Sequence, residues 1–438
     1  MNSRNRTILA LGVPATVTLI ADPIMGVVDT AVVGRLGPAQ LGALGLAVAV
    51  LSTVSWIFNF LVFGTTSTVA RAVGANDLQA AGRRVAHAAQ VAFVIGVVVG
   101  AVLYVVAEPL LAMLGAVDEL VGPGAEYLKI RAVGIPLLLL GYVGHGAFRG
   151  VSDTRTPLGV VVAANIANAA LTIWLVFGVG WGLAGAAWAT VAAELLTVLA
   201  FAVLIGRTRL PLSGHRVVDR VQLRALVVVS RDLFMRTGGL LIGILAITAA
   251  AARIGAVPAA AHQILFQYFL LISFLMDGFA IAGQAMVGTA LGAGNIQHAR
   301  EVGRSLLRWG IFGGVTVAVL LLAGMPLIPR LMTDDPAVLA AVGAVWWFMA
   351  LGQLVNGPVF ALDGVLMGAE DFRYLRTWTV IAAVAGGAAG QLVATLGGGL
   401  FGLWLAVQLM MAVRLVSLVV RIRSDRWATA GSGLVTER

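Results

Sequence analysis

The amino-acid sequence predicts an all-α polytopic membrane protein with twelve transmembrane helices in two pseudo-symmetric six-helix bundles. Hydrophobic residues make up 60% of the 438 residues, charged residues only 11%, and the mean hydropathy is +0.98. Soluble proteins carry about 25% charged residues, and a soluble fold would expose most of this apolar surface to water. An internal repeat with an offset of 218 residues accounts for the division into two bundles.

Twelve apolar segments are long enough to cross a bilayer, which requires about 20 helical residues. The segments are continuously apolar rather than alternating, so membrane-spanning β-strands are not expected. No small-residue cleavage site follows the first segment, and we expect it to be retained as span one. Spans one to twelve are predicted at 8–33, 41–63, 86–107, 121–148, 158–178, 182–206, 226–252, 258–290, 306–331, 337–367, 374–397 and 399–422.

Positive charge is concentrated in the loops on one side of these spans. Of the 29 lysines and arginines, Arg236 lies inside a span and only five are expected on the opposite side. These five are Arg35, Lys129, Arg131, Arg253 and Arg330. By the positive-inside rule, both termini are cytoplasmic and the protein is a multi-pass protein of the cell membrane. The net charge of +9 comes from these clusters, so it does not indicate that the protein binds nucleic acid.

A shift of 218 residues aligns loop signatures of the two halves. The aligned segments are Arg35-Leu36-Gly37 with Arg253-Ile254-Gly255, Ala72–Ala81 with Ala290–Ala299, and Gly150, Asp153 and Arg155 with Gly368, Asp371 and Arg373. Each half holds an even number of spans, so the halves share one orientation about an axis along the membrane normal. Two parallel six-helix bundles are an architecture of secondary transporters, although a purely structural duplication would look the same.

The repeat predicts four regions. Residues 1–206 form an N-lobe, 207–225 a basic cytoplasmic linker, 226–423 a C-lobe and 424–438 a cytoplasmic tail.

Span one carries two carboxylates and two prolines. Asp22 and Asp29 are seven residues apart, which places them on one helix face about 10 Å apart. Burial disfavours the charged form of a carboxylate, so such a group can bind and release a proton. Pro14 and Pro23 interrupt the hydrogen-bond ladder and allow the helix to bend. Structural hydrogen bonds to the kinked backbone are the alternative role for both acids.

Spans five and six carry polar side chains that could surround Asp29 if these spans pack beside span one. Asn165 and Asn168 share a face of span five, and Thr190 and Glu194 lie on span six. Hydrogen bonds that hold helices together are an equally good explanation for the amides and the hydroxyl.

Further charged groups lie in the second half. Asp363 occupies the repeat position of His145, which hints at cation handling in each bundle. Asp232 and Arg236 have the spacing of an ion pair within one helix. The remaining intramembrane polar residues are candidates for lining a substrate cavity: Asn165, Gln267, Asp277, Gln284, Gln353 and Asn356.

The sequence lacks the residues that cysteine chemistry, metal binding and ATP hydrolysis require. The chain has no cysteine, and its five histidines are not paired with carboxylates at metal-ligand spacing. No Walker A sequence is present, so ATP-driven pumping is not expected. We therefore expect no cofactor and no enzymatic activity, and the expected partners are a small organic molecule and membrane lipids, with the chain acting as a monomer.

A set of short motifs resembles the multidrug and toxic compound extrusion (MATE) transporters, and within them the DinF-like branch. The motifs are Val28-Asp29-Thr30, Gly34-Arg35-Leu36-Gly37, Gly74-Ala75-Asn76-Asp77, Gly185-Ala186-Ala187-Trp188-Ala189-Thr190, Ala261-His262-Gln263 and Asp363-Gly364. Their order and spacing over residues 8–423 carry the resemblance. It implies two six-helix lobes that export organic compounds in exchange for H⁺ or Na⁺.

The resemblance also implies roles for single residues. Asp29 matches the acid implicated in ion coupling, Pro14 the proline at which span one bends, and Asn168 and Thr190 polar residues around that acid. Asp363 matches an acid associated with cation binding in another branch.

Two departures from the family pattern bear on the coupling ion. Thr172 stands where span five of many relatives has an aspartate, and Asp22 or Glu194 could compensate. The region around Leu240 lacks the glutamate of some Na⁺-coupled relatives. Both losses weaken a Na⁺ site, so we expect proton coupling with Asp29 as the main carrier. Na⁺-coupled export, flipping of a lipid-linked substrate and, less well supported, a polytopic membrane transferase are the alternatives.

Overall fold

The computed structural model describes residues 3–114, 118–208, 210 and 220–429, without the side chains of 3, 22–24, 27, 118 and 220–227. Regular structure in this part is helical throughout. The α-helices are α1 (Ser3–Gly34), α2 (Pro38–Phe58), α3 (Phe60–Gly74), α4 (Leu78–Met113), α5 (Asp118–Gly150), α6 (Arg155–Ile173), α7 (Gly182–Gly206), α8 (Arg220–Ile254), α9 (Ala256–Gly292), α10 (Ile296–Ala323), α11 (Pro336–Leu351), α12 (Gln353–Gly368), α13 (Phe372–Leu396) and α14 (Gly399–Arg423). A π-helical turn at Trp174–Gly178 continues α6, and Pro329–Leu331 form a 3₁₀ turn.

The predicted spans correspond to these helices, which confirms the fold class. Ten helical segments in the described residues are long and apolar enough to cross a membrane, with α2 and α3 counted together. The α11 and α12 pair forms an eleventh that is bent by 47°. Predicted span one lies within α1, a helix of 32 residues. The bend between α11 and α12, at Gly352, was not predicted from the sequence.

The internal repeat is visible in the backbone. Asp77 caps α4 by accepting a hydrogen bond from the Ala80 N–H (2.7 Å), and its repeat partner Asn295 caps α10 by accepting one from the His298 N–H (2.9 Å). Positive φ angles recur at the 218-residue offset, at Gly37 and Gly255, Asn76 and Gly294, and Ser152 and Glu370. The loops of the two halves therefore share their conformation as well as their sequence.

The chain divides into two compact units. One contains the described residues of Val17–Val227, and the other contains those of Met1–Thr16 and Val228–Gly433. Helix α1 thus contributes its first half to the second unit, where Arg4 is hydrogen-bonded and ion-paired with Glu301 and Gly12 lies against the backbone of Gly278. Its second half, which carries Asp29, belongs to the first unit.

Glycines allow the close approach of α10 and α12 in the second unit. A Cβ atom at Gly310 would lie 2.6 Å from the Gly357 carbonyl oxygen and 2.8 Å from the Ala361 methyl group. In the first unit, Gly96 of α4 lies in the same way against Pro136 of α5. Small residues at helix crossings are what allow dense packing within a membrane.

We expect Gly310→Ala to destabilise the protein by about 1–3 kcal/mol, because the added methyl group meets backbone that cannot move aside. Gly238→Ala is the matched control, since a Cβ there meets nothing within 4 Å. The measurement is the thermal unfolding midpoint of each purified variant in detergent. Equal midpoints for the two variants would show that the α10–α12 contact is not tight.

Candidate functional site

Asp29 of α1 lies in a cluster of polar side chains inside the first unit. Its carboxylate is within interaction distance of the Thr172 hydroxyl of α6 and of the Arg131 guanidinium of α5. One carboxylate oxygen, Oδ1, is buried and has no hydrogen-bond partner. A buried acceptor without a partner carries a large free-energy cost, so this oxygen marks Asp29 as a group that needs a proton or a donor.

Helix α6 supplies the neutral part of the cluster. The Thr172 hydroxyl donates to the Asn168 side-chain oxygen at 2.9 Å, and both residues are buried. Asn165, one turn earlier, donates to the Ala21 carbonyl oxygen of α1 at 3.3 Å. Helices α1 and α6 are therefore hydrogen-bonded to each other, as the sequence analysis required for Asn165 and Asn168 to reach Asp29.

The charged part of the cluster is an ion pair between α5 and α7. Arg131 Nη2 donates to Glu194 Oε1 at 2.8 Å, and the two side chains are only 10% and 12% exposed. Tyr127, one turn before Arg131 and also buried, is within electrostatic range of Arg131, Glu194 and Asp29. Among the side chains that the structure describes, the cluster thus contains two carboxylates and one guanidinium.

From the sequence, Arg131 was counted with Lys129 among the basic residues on the side opposite the positive clusters. The structure shows it buried within α5, and Lys129 pairs with Glu108 instead, at 2.6 Å. Arg131 falls ten residues inside predicted span four, and this position was the available signal. Glu194 was predicted as a site residue, but its arginine partner was missed.

Among the described residues, the structure shows no hydrogen bond from Thr190 to this cluster, and the side chains of Asp22 and Pro23 are not described. The Thr190 hydroxyl donates to the Ala186 carbonyl oxygen of its own helix at 3.1 Å. Asp22 and Pro23 lie in α1, with side chains outside the described residues. Helix α1 continues through both Pro14 and Pro23, so its bending remains a prediction.

Asp363 lies in a separate charged cluster within the second unit. The buried Asp363 carboxylate accepts hydrogen bonds from Arg236, and from Arg414 at 3.1 Å. Asp277 is within electrostatic range of Arg414. Two guanidinium groups on one carboxylate disfavour binding of a further cation, so the predicted coupling role of Asp363 gains no support from its surroundings.

The prediction that Asp232 and Arg236 form an ion pair within one helix is wrong. Asp232 pairs instead with Arg231 at 2.9 Å and with Arg376 of α13 at 2.6 Å, while Arg236 reaches Asp363 of α12. From the sequence, Arg236 was expected to be the one arginine inside a span, whereas Arg131 and Arg414 are also buried in helices.

The predicted cavity residues occupy different environments. Gln353 and Asn356 are buried at the start of α12, where Asn356 Nδ2 donates to Gln353 Oε1 at 3.1 Å, and Gln284 is buried in α9. Gln267 is exposed, and Asn165 and Asp277 are half-buried. Their contact with substrate remains a prediction. Within the described residues, no three acidic or histidine side chains form a potential metal site.

Gly134 provides the space that the Arg131–Glu194 pair occupies. A Cβ atom there would overlap the Glu194 carboxylate and lie 3.3 Å from Arg131 Nη1. Gly141, two turns further along α5, also faces α7, but its Cβ would make an ordinary 3.7 Å contact with Thr197.

We expect Gly134→Ala to reduce transport at least about tenfold, because the added methyl group displaces the ion pair beside Asp29. Disrupting a buried ion pair costs more than the roughly 1.4 kcal/mol that corresponds to a tenfold change. Gly141→Ala makes the same chemical change on the same helix and is expected to retain activity. Initial rates of substrate efflux, normalised to folded protein, measure both. Equal rates for the two variants would show that the position of the ion pair does not matter.

The chain is similar to known proteins over nearly its whole length. A family model described as MatE matches residues 14–174 and 240–392. Protein DETOXIFICATION 44, chloroplastic, of Arabidopsis thaliana is 34% identical over 96% of this chain and 83% of its own length. DNA damage-inducible protein F of Escherichia coli (strain K12) is 30% identical over 95% of this chain and 92% of its own length.

The fold is matched by solved structures. A crystal structure of MATE in the bent conformation superimposes with a TM-score of 0.89 over 97% of this chain and 95% of that chain. The sequence identity in this pair is 19%, so the structural comparison supports the fold and not a shared substrate.

Proposed function

The chain belongs to the MatE family, the multidrug and toxic compound extrusion transporters, and we propose that it exports organic compounds from the cytoplasm in exchange for protons. Asp29 is the main proton carrier in this proposal. The observation that carries it is the buried, unpartnered Oδ1 of Asp29 within a helix that contributes to both compact units. Protonation of Asp29 would satisfy the buried carboxyl group and change how α1 packs.

A proton fits this cluster better than a metal ion. Na⁺ is a hard cation that prefers several oxygen ligands, such as carboxylates and carbonyls. Thr172 stands where the family resemblance implies an aspartate in many relatives, and its hydroxyl donates to Asn168. The Arg131 guanidinium also repels any metal cation near Asp29. With two carboxylates and one guanidinium, the cluster carries one excess negative charge, which one proton neutralises.

The energy of one proton is sufficient for useful export. Moving one charge across 100 mV is worth about 2.3 kcal/mol, and each pH unit adds about 1.4 kcal/mol. Together these support a substrate gradient on the order of a hundredfold to a thousandfold. We propose drug-like or amphipathic organic molecules as the substrate class, and a cell-membrane location with both termini in the cytoplasm.

The experiment uses everted membrane vesicles from cells that produce the protein. Uptake is measured for a fluorescent organic cation, a bile salt and a tricarboxylic acid, with a pH gradient or a Na⁺ gradient imposed separately. We expect the pH gradient to drive uptake of at least one compound and the Na⁺ gradient to drive none. Uptake driven by Na⁺ alone would overturn proton coupling.

A further inference from the structure

We propose that Arg131 exchanges partners during transport: it pairs with Glu194 while Asp29 holds a proton, and is shared with Asp29 once that proton has left. The cluster then carries one proton per cycle, although it contains two carboxylates. This inference rests on the proposed function, because it requires Asp29 to be the group that is protonated.

Three buried atoms in the cluster lack a hydrogen-bond partner. Arg131 Nη1 is a donor without an acceptor, while Asp29 Oδ1 and Glu194 Oε2 are acceptors without a donor. A second guanidinium nitrogen, Nη2, already donates to Glu194 Oε1. One free donor beside two free acceptors on different helices is the arrangement that a partner exchange needs.

Among the described side chains around Asp29, Arg131 is the group that carries a positive charge. Helix α5 contributes Arg131 and the uncharged phenol of Tyr127, and α7 contributes Glu194. Helix α6 contributes the neutral side chains of Asn165, Asn168 and Thr172, of which Asn168 and Thr172 are hydrogen-bonded to each other. Arg131 is therefore the cation that can compensate either carboxylate.

Burial explains why the exchange would be coupled to the proton. Removing the partner of a buried ion leaves an uncompensated charge at a cost of several kcal/mol. With the proton on Asp29, Glu194 is the charged carboxylate among the cluster's described side chains, and Arg131 pairs with it as in this structure. When the proton leaves Asp29 for solvent, a second negative charge forms and attracts the unpartnered Nη1 of Arg131. A returning proton restores the first arrangement, so one proton is bound and one released per cycle.

The Glu194→Gln variant isolates this effect. Without the Glu194 charge, Arg131 is available to Asp29 at all times, which favours the charged form of Asp29. We therefore expect Asp29 to take up its proton at a pH lower by at least about one unit than in the unmodified protein. In the double variant Arg131→Gln with Glu194→Gln, Asp29 has no cation beside it, and its proton uptake is expected to move above the unmodified midpoint.

The measurement requires no substrate. The purified protein is reconstituted in lipid, and the carbonyl stretch of protonated carboxylic acids is followed by infrared difference spectroscopy through a pH titration. The band that disappears in Asp29→Asn is assigned to Asp29. Thermal unfolding of each variant is measured alongside, because a purely structural ion pair would lower stability without moving the midpoint of this band.

The outcomes separate the inference from the proposed function. Midpoints that move down in Glu194→Gln and up in the double variant support the exchange. An unmoved midpoint in either folded variant overturns it, and the double variant keeps the test available if the single one does not fold. Absence of any band that depends on Asp29 would instead overturn the proposed function.

Discussion

Replacing Asp363 with asparagine is expected to destabilise the protein by about 3–5 kcal/mol, because it removes the carboxylate to which the buried guanidinium groups of Arg236 and Arg414 are both hydrogen-bonded. The side chains of Arg236 and Asp363 are 9% and 5% exposed, and that of Arg414 is 5% exposed. An asparagine amide can accept hydrogen bonds but cannot balance either charge. The effect is measured as the shift in the unfolding transition of the purified protein in detergent.

Asp425→Asn is the matched control for this substitution. Asp425 pairs with Arg300 at 3.1 Å, but the two side chains are 54% and 41% exposed. Exposed ion pairs contribute at most about 1 kcal/mol, since water screens both partners. If Asp363→Asn and Asp425→Asn shift unfolding equally, the buried cluster is not a stabilising element of the second unit.

Asp29→Asn is expected to abolish pH-gradient-driven transport while the protein remains folded. The amide is nearly the same size as the carboxyl group and stays neutral at every pH, so it mimics the protonated form and cannot release a proton. We expect uptake into everted vesicles to fall to the rate measured without a gradient. The stability of the variant is expected to be equal to or above that of the unmodified protein, because a buried charge has been removed.

Asp77→Asn provides the corresponding control. Asp77 caps α4, and asparagine is an equally good N-cap. The repeat itself demonstrates this, since Asn295 caps α10 at the equivalent position. Transport by Asp77→Asn is therefore expected to match that of the unmodified protein. A similar loss in both variants would mean that any change of aspartate to asparagine impairs the protein, and Asp29 would have no special role.

Features determined by local sequence were predictable. The helices follow from long apolar segments, and the repeat follows from loop residues whose conformations recur, such as Asn76 with Gly294. Asp29 was identified as a candidate coupling residue because a carboxylate within an apolar span is costly to bury and is seldom present without a function. The break at Gly352 was missed because residues 337–367 were taken as one continuous span on their overall apolar character, although the structure bends them by 47°.

Pairings between distant residues were less predictable. Arg131 and Glu194 are separated by 63 residues, and Arg131 had been grouped with the nearby Lys129 as a charge on the side opposite the positive clusters. Asp232 and Arg236 have ideal spacing for a pair within one helix. In the structure, however, Asp232 pairs with Arg376 and Arg236 pairs with Asp363, both on other helices. Thr190 has its hydroxyl bonded to its own backbone, a common arrangement that sequence alone does not distinguish from a shared network.

The most direct test of proton coupling at Asp29 is substrate-driven proton flux in proteoliposomes. A transported compound is loaded on one side of the membrane, no pH gradient is imposed, and a trapped pH indicator reports proton movement in the opposite direction. We expect a pH change with the unmodified protein and with Asp77→Asn, and none with Asp29→Asn. Unchanged proton flux in Asp29→Asn would contradict the assignment of Asp29 as the proton carrier.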